Sequence, residues 1–274
     1  MKIDLHIHTD HSFDGRNAVE TVLKRAEEEG LDAVAITDHD TMSAVQLARQ
    51  ATKNVTIIPG MEITTTAGGT HIVGLFLQYE IASRDIDEVI DDIHEQGGLV
   101  LLPHPFRRGT GLMYNRDHGN DIDGETASRI MSKVDLIELF NYRCSPEAVV
   151  DTDRFIDLHP NIAHASGSDA HLEDEIGKAY IELEDVNSGS LEEIKDALLY
   201  SPRLLRYEAY TERGEAETKT TRIKGRKKSL IIKTRDFIPR YIRKSLRAIY
   251  KKIGVKTAAD AEREDDGENE MSRR

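Results

Sequence analysis

Three side chains able to bind a metal ion lie close to the start of the chain. A short strand-like segment, Lys2 to Leu5, leads into His6, His8 and then Asp14. Side chains two positions apart on a strand point to the same side, so the two histidines can face one pocket. Imidazole and carboxylate groups are ligands for transition metals. Alone, His-x-His is a common pattern that two surface histidines would also produce, so a metal site here depends on the rest of the chain.

The same arrangement, a buried strand followed by a polar ligand, recurs along the chain. Each segment is short and mostly β-branched or aliphatic, which is typical of a strand buried on both faces of a parallel sheet. These strands, each with the polar residues that follow it, are 33–37 with Asp38, His39 and Asp40; 55–60 with Glu62; 99–103 with His104; and 162–168 with Asp169 and His171.

Helical patterns alternate with these strands, which predicts an α/β fold. A closed barrel brings the C-terminal ends of all its strands to one mouth, whereas an open sheet spreads them along a line. Because so many strand ends carry ligands, the pattern favours a barrel. The predicted helices cover 18–29, 42–51, 86–96, 146–158 and 191–199.

Taken in order, the motifs resemble those of the polymerase and histidinol phosphatase (PHP) family of metal-dependent phosphoesterases. The match runs from residue 2 to about residue 185. The resemblance implies a distorted (β/α)7 TIM-like barrel with two or three divalent metal ions (Mn²⁺, Zn²⁺ or Fe²⁺) at the C-terminal ends of the strands. The motifs are His6-Ile7-His8, Asp14-Gly15, Ile36 to Asp40, Pro59 to Glu62, His71 to Leu75, Pro103-His104-Pro105 and Gly167 to His171.

Two of these motifs, HIVGL at 71–75 and ITDHDT at 36–41, are most similar to the branch of nucleotide phosphatases and 5′ to 3′ RNA exonucleases. Members of that branch often carry an inserted domain between the HIVGL strand and the HP motif. Only residues 78–98 separate these elements here, so the insertion is missing. Substrate contacts that the insertion supplies elsewhere are therefore not assumed for this chain.

The resemblance also implies a ligand set. The donor chemistry agrees with it independently, because imidazole and carboxylate without thiolate suit zinc, manganese or iron. Glu62 would bridge to a third position completed by His104 with His71. One metal ion would be held by His6, His8, Glu62 and Asp169, and a second by Asp14, His39 and His171. The residues expected to act in catalysis are His6, His8, Glu62, Asp169 and His171.

Three carboxylates are predicted to support these ligands without binding metal themselves. Asp38 and Asp40 flank His39, and a metal-bound imidazole usually donates its other N–H to a carboxylate or carbonyl. Glu138 follows the predicted strand 134–137 and points toward the same mouth. We expect these side chains to orient the metal ligands.

Two arginines follow strand ends and are predicted to bind substrate phosphate. Arg107 comes shortly after His104, and Arg143 shortly after Glu138. A guanidinium group matches phosphate oxygens in a planar geometry that lysine lacks. The chain has no GxSxG or P-loop motif, so a covalent nucleophile is not expected. We therefore expect a metal-activated bridging water to hydrolyse phosphate monoesters of nucleotides or small metabolites.

Two other functions stay open at this point. A 5′ to 3′ exonuclease acting on single-stranded RNA or DNA would use the same chemistry on a different partner. A non-catalytic, metal-binding regulatory barrel would keep the fold without turnover, and the intact ligand set argues against it. The chain of 274 residues has one cysteine and no apolar segment long enough to cross a bilayer, which predicts a cytoplasmic enzyme.

Charge is distributed unevenly along the chain. Residues 1–218 carry a net charge of −23, residues 219–256 carry +14 and residues 257–274 carry −4. The predicted domains are a catalytic barrel at 1–210, a polar and basic linker at 211–234, a basic amphipathic helix at 235–256 and a disordered acidic tail at 257–274. Three partners fit such a helix: the barrel or another helix, a single-stranded nucleic acid bound by 219–256, and an anionic membrane surface.

Overall fold

Strands and helices alternate through most of the computed structural model, which describes residues 1–119, 122–184, 186, 189–210 and 216–225. The strands are β1 (Lys2–Ile7), β2 (Ala33–Ile36), β3 (Thr56–Thr64), β4 (His71–Leu75), β5 (Leu99–Leu102), β6 (Leu136–Asn141), β7 (Ala163–Gly167), β8 (Ala179–Leu183), β9 (Arg203–Tyr210) and β10 (Ala216–Ile223). The helices are α1 (Val19–Glu28), α2 (Ser43–Ala51), α3 (Ile86–Glu95), α4 (Leu112–Asp117), α5 (Gly124–Met131), α6 (Pro146–Ile156) and α7 (Leu191–Tyr200).

The first seven strands form a nearly closed barrel. Strands β1, β2 and β3 are parallel neighbours, and so are β5, β6 and β7. The segment after β7 returns to β1, because the Asp169 amide donates to the His6 carbonyl at 2.7 Å and Ile7 forms a parallel bridge with Ala170. The predicted distorted TIM-like barrel is confirmed.

The core consists of buried strands and of the apolar stripes of the surrounding helices. Every residue of β2 and of β5 is buried. In α3, Ile86, Val89, Ile90 and Ile93 are buried at helical spacing, and the helix begins after Asp85, whose side chain accepts from two backbone amides. Because the strands are covered on both faces, most polar side chains of the barrel lie where the strands end.

The connection between β3 and β4 departs from the βα pattern. These two strands form an antiparallel hairpin, and Gly68 and Gly69 in its loop have φ values of 61° and 73°. Positive φ values of this kind favour glycine. Strand β4 is antiparallel to β5 as well. Since β4 runs opposite to its neighbours, its first residue, His71, lies at the end of the barrel where the other strands finish.

Three antiparallel strands extend the sheet beyond β1: β8 pairs with β1, β9 with β8 and β10 with β9. Strand β10 lies inside the segment predicted as a linker, 211–234, so that part of the prediction is corrected. Residues 218–220 of β10 are polar and exposed, and the strand is held by backbone pairing. A strand without an apolar face gives no hydrophobic pattern to detect.

Two short helices, α4 and α5, were also not among the predicted elements. The predicted amphipathic helix at 235–256 and the predicted tail at 257–274 lie outside the described residues. None of the helices that the structure describes has the length and apolar character needed to span a bilayer.

Candidate metal centre

The nine predicted metal ligands meet at one end of the barrel. His6 and His8 come from the end of β1, and Glu62 lies near the end of β3. The others follow β1, β2, β5 or β7, or begin β4; they are Asp14, His39, His104, Asp169, His171 and His71. Among the described residues, three groups of these side chains have ligand atoms within 4.8 Å of one another.

The first group consists of His6, His8, Glu62 and Asp169, and all four are almost fully buried. Glu62 Oε2 lies 3.3 Å from His6 Nε2 and 3.2 Å from His8 Nε2. Asp169 Oδ1 lies 3.6 Å and 3.3 Å from the same two nitrogens. This is the set that the sequence predicted for the first metal ion.

The second group consists of His8, Asp14, His39 and His171. Asp14 Oδ2 lies 2.9 Å from His171 Nε2 and 3.5 Å from His39 Nε2. The three residues predicted for the second metal ion are therefore together, and His8 belongs to both groups.

Glu62 lies between the groups and uses both of its oxygens. Oε2 faces His6, His8 and also His39, whose Nε2 is 3.4 Å away. Oε1 lies 2.8 Å from His71 Nδ1 and 3.1 Å from His104 Nε2. The third group of mutually close ligand atoms contains His39, Glu62 and His71. His104 is not in this group, although its Nε2 contacts Glu62 Oε1. A carboxylate in this position can bridge cations.

Hydrogen bonds orient three of the imidazoles so that their Nε2 lone pairs face carboxylates. His6 Nδ1 lies 3.2 Å from Glu138 Oε1, and His171 Nδ1 donates to the Asp169 carbonyl at 2.8 Å. His8 Nδ1 lies 3.3 Å from Ser12 Oγ, which uses its own proton on Asp14 Oδ1, so the imidazole is the donor. Each neutral ring then carries its lone pair on Nε2.

The inward atoms of this arrangement fit a cation. His6 Nε2, His8 Nε2 and Asp169 Oδ1 are buried and have no hydrogen-bond partner within the described part of the chain. Lone pairs facing carboxylate oxygens repel unless a proton or a metal ion lies between them. The donor set contains imidazole and carboxylate only, which suits zinc, manganese or iron.

The pKa values reflect the same crowding of charge. Burial lowers the pKa of His6 and of His8, but the nearby carboxylates outweigh it; the pKa of His6 is raised well above its usual value and that of His8 to about 9. Burial works against ionisation of Glu62 and Asp169, and the surrounding histidines nevertheless hold both pKa values well below the usual range. The centre therefore keeps its carboxylates ionised and needs positive charge between them.

Comparison with known proteins assigns the chain to a family. The sequence profile described as the PHP domain matches residues 4–139, and a PHP-associated profile matches residues 159–200. An uncharacterized protein of Methanocaldococcus jannaschii is 33% identical over 192 residues, which cover 68% of this chain and 72% of that protein. The chain belongs to the PHP family.

Two further similarities concern parts of this PHP chain. A solved structure from Bacteroides vulgatus, a two-domain protein containing a predicted PHP-like metal-dependent phosphoesterase, has a TM-score of 0.58 at 17% identity and covers 84% of this chain and 88% of its own. The 5′-3′ exoribonuclease Rnm of Salmonella typhimurium is 44% identical over 78 residues, which are 26% of each protein. The first similarity supports the PHP fold, and the second extends over about a quarter of the exoribonuclease.

Glu138 lies beneath the PHP centre and contacts several of its parts. Besides its contact with His6, its Oε2 accepts from the His104 amide at 2.9 Å and from Asn141 Nδ2 at 2.8 Å. Asn141 Nδ2 also donates to Asp169 Oδ2 at 3.2 Å. Glu138 thus connects its own strand, β6, with β1 and with the segment after β5, beside the candidate ligands His6 and His104.

Asp38 and Asp40 contact other groups than the predicted one. Asp38 accepts from the Thr9 amide and from its hydroxyl, the latter at 2.7 Å. Asp40 accepts from the Thr64 amide at 3.1 Å and pairs with Arg84 at 3.2 Å. Both carboxylates therefore hold the loops beside the ligands, and the prediction that they orient the His39 ring is corrected. His39 Nδ1 has no hydrogen-bond partner among the described residues.

Backbone strain occurs at two of the candidate ligands. His104 has a φ of 30° and Asp169 a φ of 56°, values that side chains with a Cβ rarely adopt. Such conformations cost free energy and persist where the surroundings determine them, often at functional sites. Here each follows a buried strand and turns a ligand toward the centre.

The two arginines predicted for phosphate binding differ in position. Arg107 Nη1 donates to Asp169 Oδ2 at 2.7 Å, and 31% of its side chain is exposed, so it borders the centre directly. Arg143 Nη1 lies 3.0 Å and 2.9 Å from the two oxygens of Glu175. Glu175 in turn accepts from the His171 amide at 2.8 Å. Both arginines are therefore paired with a carboxylate, but only Arg107 is paired with a candidate metal ligand.

Ser12 and Asp4 support the centre and were not predicted. Ser12 Oγ contacts His8 and Asp14 and accepts from the His39 amide at 3.1 Å, so one hydroxyl joins the two metal groups. Asp4 is fully buried and accepts from the amides of His6, Ser168 and Gly177. Burial raises its pKa to about 6. The sequence signal for Asp4 was its spacing, because it lies two residues before His6 and four before His8 and therefore faces the same side of the strand.

Proposed function

We propose that this PHP protein is a metal-dependent phosphoesterase that hydrolyses phosphate monoesters of nucleotides or small metabolites. The observation that carries the proposal is the buried cluster in which the Nε2 atoms of His6, His8 and His39 all lie within 3.4 Å of Glu62 Oε2, with Asp169 beside His6 and His8. This arrangement is suited to two or three divalent cations such as Mn²⁺, Zn²⁺ or Fe²⁺. Cations of this kind lower the pKa of water and offset negative charge on a phosphoryl group.

Side chains of the protein would hold the metal ions and bind the phosphate of the substrate. The first group, with Glu62 and Asp169, would hold one metal ion; the second, with Asp14 and His171, would hold another. Arg107 is held by Asp169 through one nitrogen, which leaves guanidinium N–H groups for phosphate oxygens. Cys144 is not a candidate nucleophile, since burial raises the pKa of its thiol far above neutrality.

A substrate screen of the purified chain tests this proposal. The protein would be loaded in turn with Mn²⁺, Zn²⁺ and Fe²⁺, and phosphate release measured from nucleoside monophosphates, sugar phosphates and histidinol phosphate. We expect turnover of at least one ester, lost in Asp169→Asn together with bound metal. Full activity of purified Asp169→Asn would contradict the proposed site. Tight metal binding by the wild type without turnover of any ester would favour a non-catalytic regulatory barrel.

A second candidate function is a 5′ to 3′ exonuclease. A groove of about 750 Å³ begins at Arg107. Aromatic and basic residues, including Phe106, Arg108, Tyr114 and Arg154, line it together with the acidic residues Asp117, Glu147 and Asp151. Such surfaces suit single-stranded nucleic acid, which binds through stacking and phosphate contacts. The partial similarity to exoribonucleases favours the same reading.

Truncation after Gly225 separates the two functions. Strand β10 ends at Ile223, so this truncation removes most of the basic segment and keeps every strand that the structure describes. For an exonuclease steered by the basic segment, we expect the truncated chain to degrade short RNA more slowly at low salt and to lose much of its salt dependence. Mononucleotide hydrolysis serves as the internal control. Equal RNA degradation by both chains at every salt concentration would exclude steering by this segment.

A further inference from the structure

Phe13 is an exposed aromatic residue at the rim of the metal centre. Its exposed fraction is 83%, and its ring stacks on the ring of His39 with the centroids 4.9 Å apart and the planes at 30°. A single exposed apolar side chain is ordinary in itself. This one is set apart by its position, because it precedes the candidate ligand Asp14 and lies against the candidate ligand His39.

The loop that carries Phe13 is pinned on both sides. The Asp10 amide donates to the Asn17 carbonyl at 2.8 Å, and the Ser12 amide to the Thr9 carbonyl at 3.1 Å. A Cβ at Gly15 would lie 2.0 Å from the Thr9 carbonyl oxygen, so the loop closes tightly on itself there. These contacts fix the backbone on each side of Phe13, and its ring is therefore placed by the fold while remaining open to solvent.

The surroundings of the centre differ between its two sides. On the side of Asp14 and His171, whose side chains lie 2.9 Å apart, each ligand has an exposed apolar neighbour in the chain: Phe13 for the first and Leu172, 42% exposed, for the second. On the side of Asp169, the neighbour is the cation Arg107. The rim thus has two exposed apolar side chains among charged ones beside Asp14 and His171, and the cation Arg107 beside Asp169.

We infer that Phe13 stacks on the nucleobase of a substrate whose phosphate ester is held at the metal centre. The inference rests on the proposed phosphoesterase function and names its substrate class. A nucleobase is a planar aromatic ring, and an exposed aromatic side chain can stack on any of the bases through ring-to-ring contact. The phosphate of the same molecule is anionic and suits the side with Arg107. A free nucleotide and the terminal nucleotide of a strand share this chemistry.

The test compares adenosine monophosphate with ribose 5-phosphate, which is the same ester without the base. In the Mn²⁺-loaded chain, we expect Phe13→Ala to lower the preference for adenosine monophosphate, measured as the ratio of the two kcat/KM values, by about tenfold, mainly through KM. Phe13→Trp should keep the preference, and Phe13→Leu, which keeps an apolar cover on His39 but has no ring, should lose it. Tyr79→Ala, at another exposed aromatic residue, is the matched control.

Several outcomes would overturn the inference. If both esters lose kcat/KM in proportion, Phe13 positions His39 and does not select a base. If Phe13→Leu keeps the preference of the wild type, an aromatic ring is not required. If the wild type hydrolyses ribose 5-phosphate as well as adenosine monophosphate, the phosphoesterase proposal stands and base recognition fails. Absence of turnover with every ester would instead count against the proposed function itself.

Binding can be measured without turnover and distinguishes the two sources of the base. In saturation-transfer NMR with the chain free of added metal, we expect the adenine protons of adenosine monophosphate to receive more magnetisation than its ribose protons, and to lose this excess in Phe13→Ala. The same experiment with a 5′-phosphorylated adenine trinucleotide shows whether a strand end or a free nucleotide is preferred. Equal transfer to base and ribose protons in the wild type would contradict stacking.

Discussion

At the residue scale, the centre depends on the way in which each ligand is oriented from behind. His6 lies on β1 and His8 directly after it, yet their outer nitrogens meet different partners, Glu138 and Ser12. Both partners leave the Nε2 lone pair directed at Glu62 and Asp169. A metal-bound imidazole is fixed in this manner in many proteins, and the partner's charge also raises the basicity of the ring.

Glu138→Gln tests this orientation. The amide keeps the shape of the side chain but removes the charge that faces His6 Nδ1, so we expect metal affinity to fall about 10- to 100-fold. The measurement is competition for Zn²⁺ or Mn²⁺ against a chelator of known affinity. Glu182→Gln is the control, because Glu182 is a carboxylate on β8 that pairs with Arg206. Wild-type affinity in Glu138→Gln would show that Glu138 does not orient the centre.

At the scale of elements, the strand ends must approach one another more closely than ordinary side chains allow. Strand β7 passes His6 of β1 and Glu138 of β6 at Gly167. A Cβ there would lie 2.6 Å from Glu138 Oε1 and 2.6 Å from His6 Cβ. The absence of a side chain at this position is what lets β7 deliver Asp169 next to His6.

Gly167→Ala is therefore expected to disturb the centre and the fold together. Overpacking of this kind typically costs about 1–3 kcal/mol of unfolding free energy, and the displaced His6 should also weaken metal binding. Urea denaturation and metal titration measure the two effects. In Gly124→Ala the added Cβ meets no atom within 4 Å, so this control should stay close to wild type. Unchanged metal binding in Gly167→Ala would mean that the centre tolerates the displacement.

At the scale of the whole molecule, the centre couples metal binding to stability. Its ligands come from β1, β3 and β4 and from the loops after β1, β2, β5 and β7, so cations bound there connect most of the barrel. In the metal-free chain, Glu62 and Asp169 are buried beside several imidazoles, and their charges are balanced by protons on the histidines. A ligand that binds only the folded state raises its stability by mass action.

Metal removal should accordingly lower the melting temperature. At a free Mn²⁺ concentration of about 100 times Kd, the folded state gains about 2.7 kcal/mol per site, or roughly 5–10 °C in Tm for a chain of this size. Thermal unfolding with and without chelator measures the shift. Glu62→Gln should show a much smaller one, since Glu62 faces five of the imidazoles. An equal shift in both proteins would place the stabilising metal elsewhere.

The sequence by itself determined the barrel and the ligand types, because a buried strand has few places for a polar side chain except its end. The predicted helices 86–96 and 146–158 follow from apolar spacing and caps, and the structure has them at Ile86–Glu95 and Pro146–Ile156, which agrees to within two residues. The antiparallel direction of β4 and the polar strand β10 were decided by backbone pairing, which leaves no hydrophobic pattern.

Only the tertiary structure decided which groups orient the ligands. Glu138 reaches His6 across 132 positions of sequence, and His171 reaches Asp14 across 157. Contacts of this kind depend on which strands become neighbours and on where each strand stops. Asp38 and Asp40 show the opposite case, since they are next to His39 in the chain and yet contact other groups. Closeness in the sequence therefore does not tell which side chains are in contact, because the contacts depend on how the strands and loops pack.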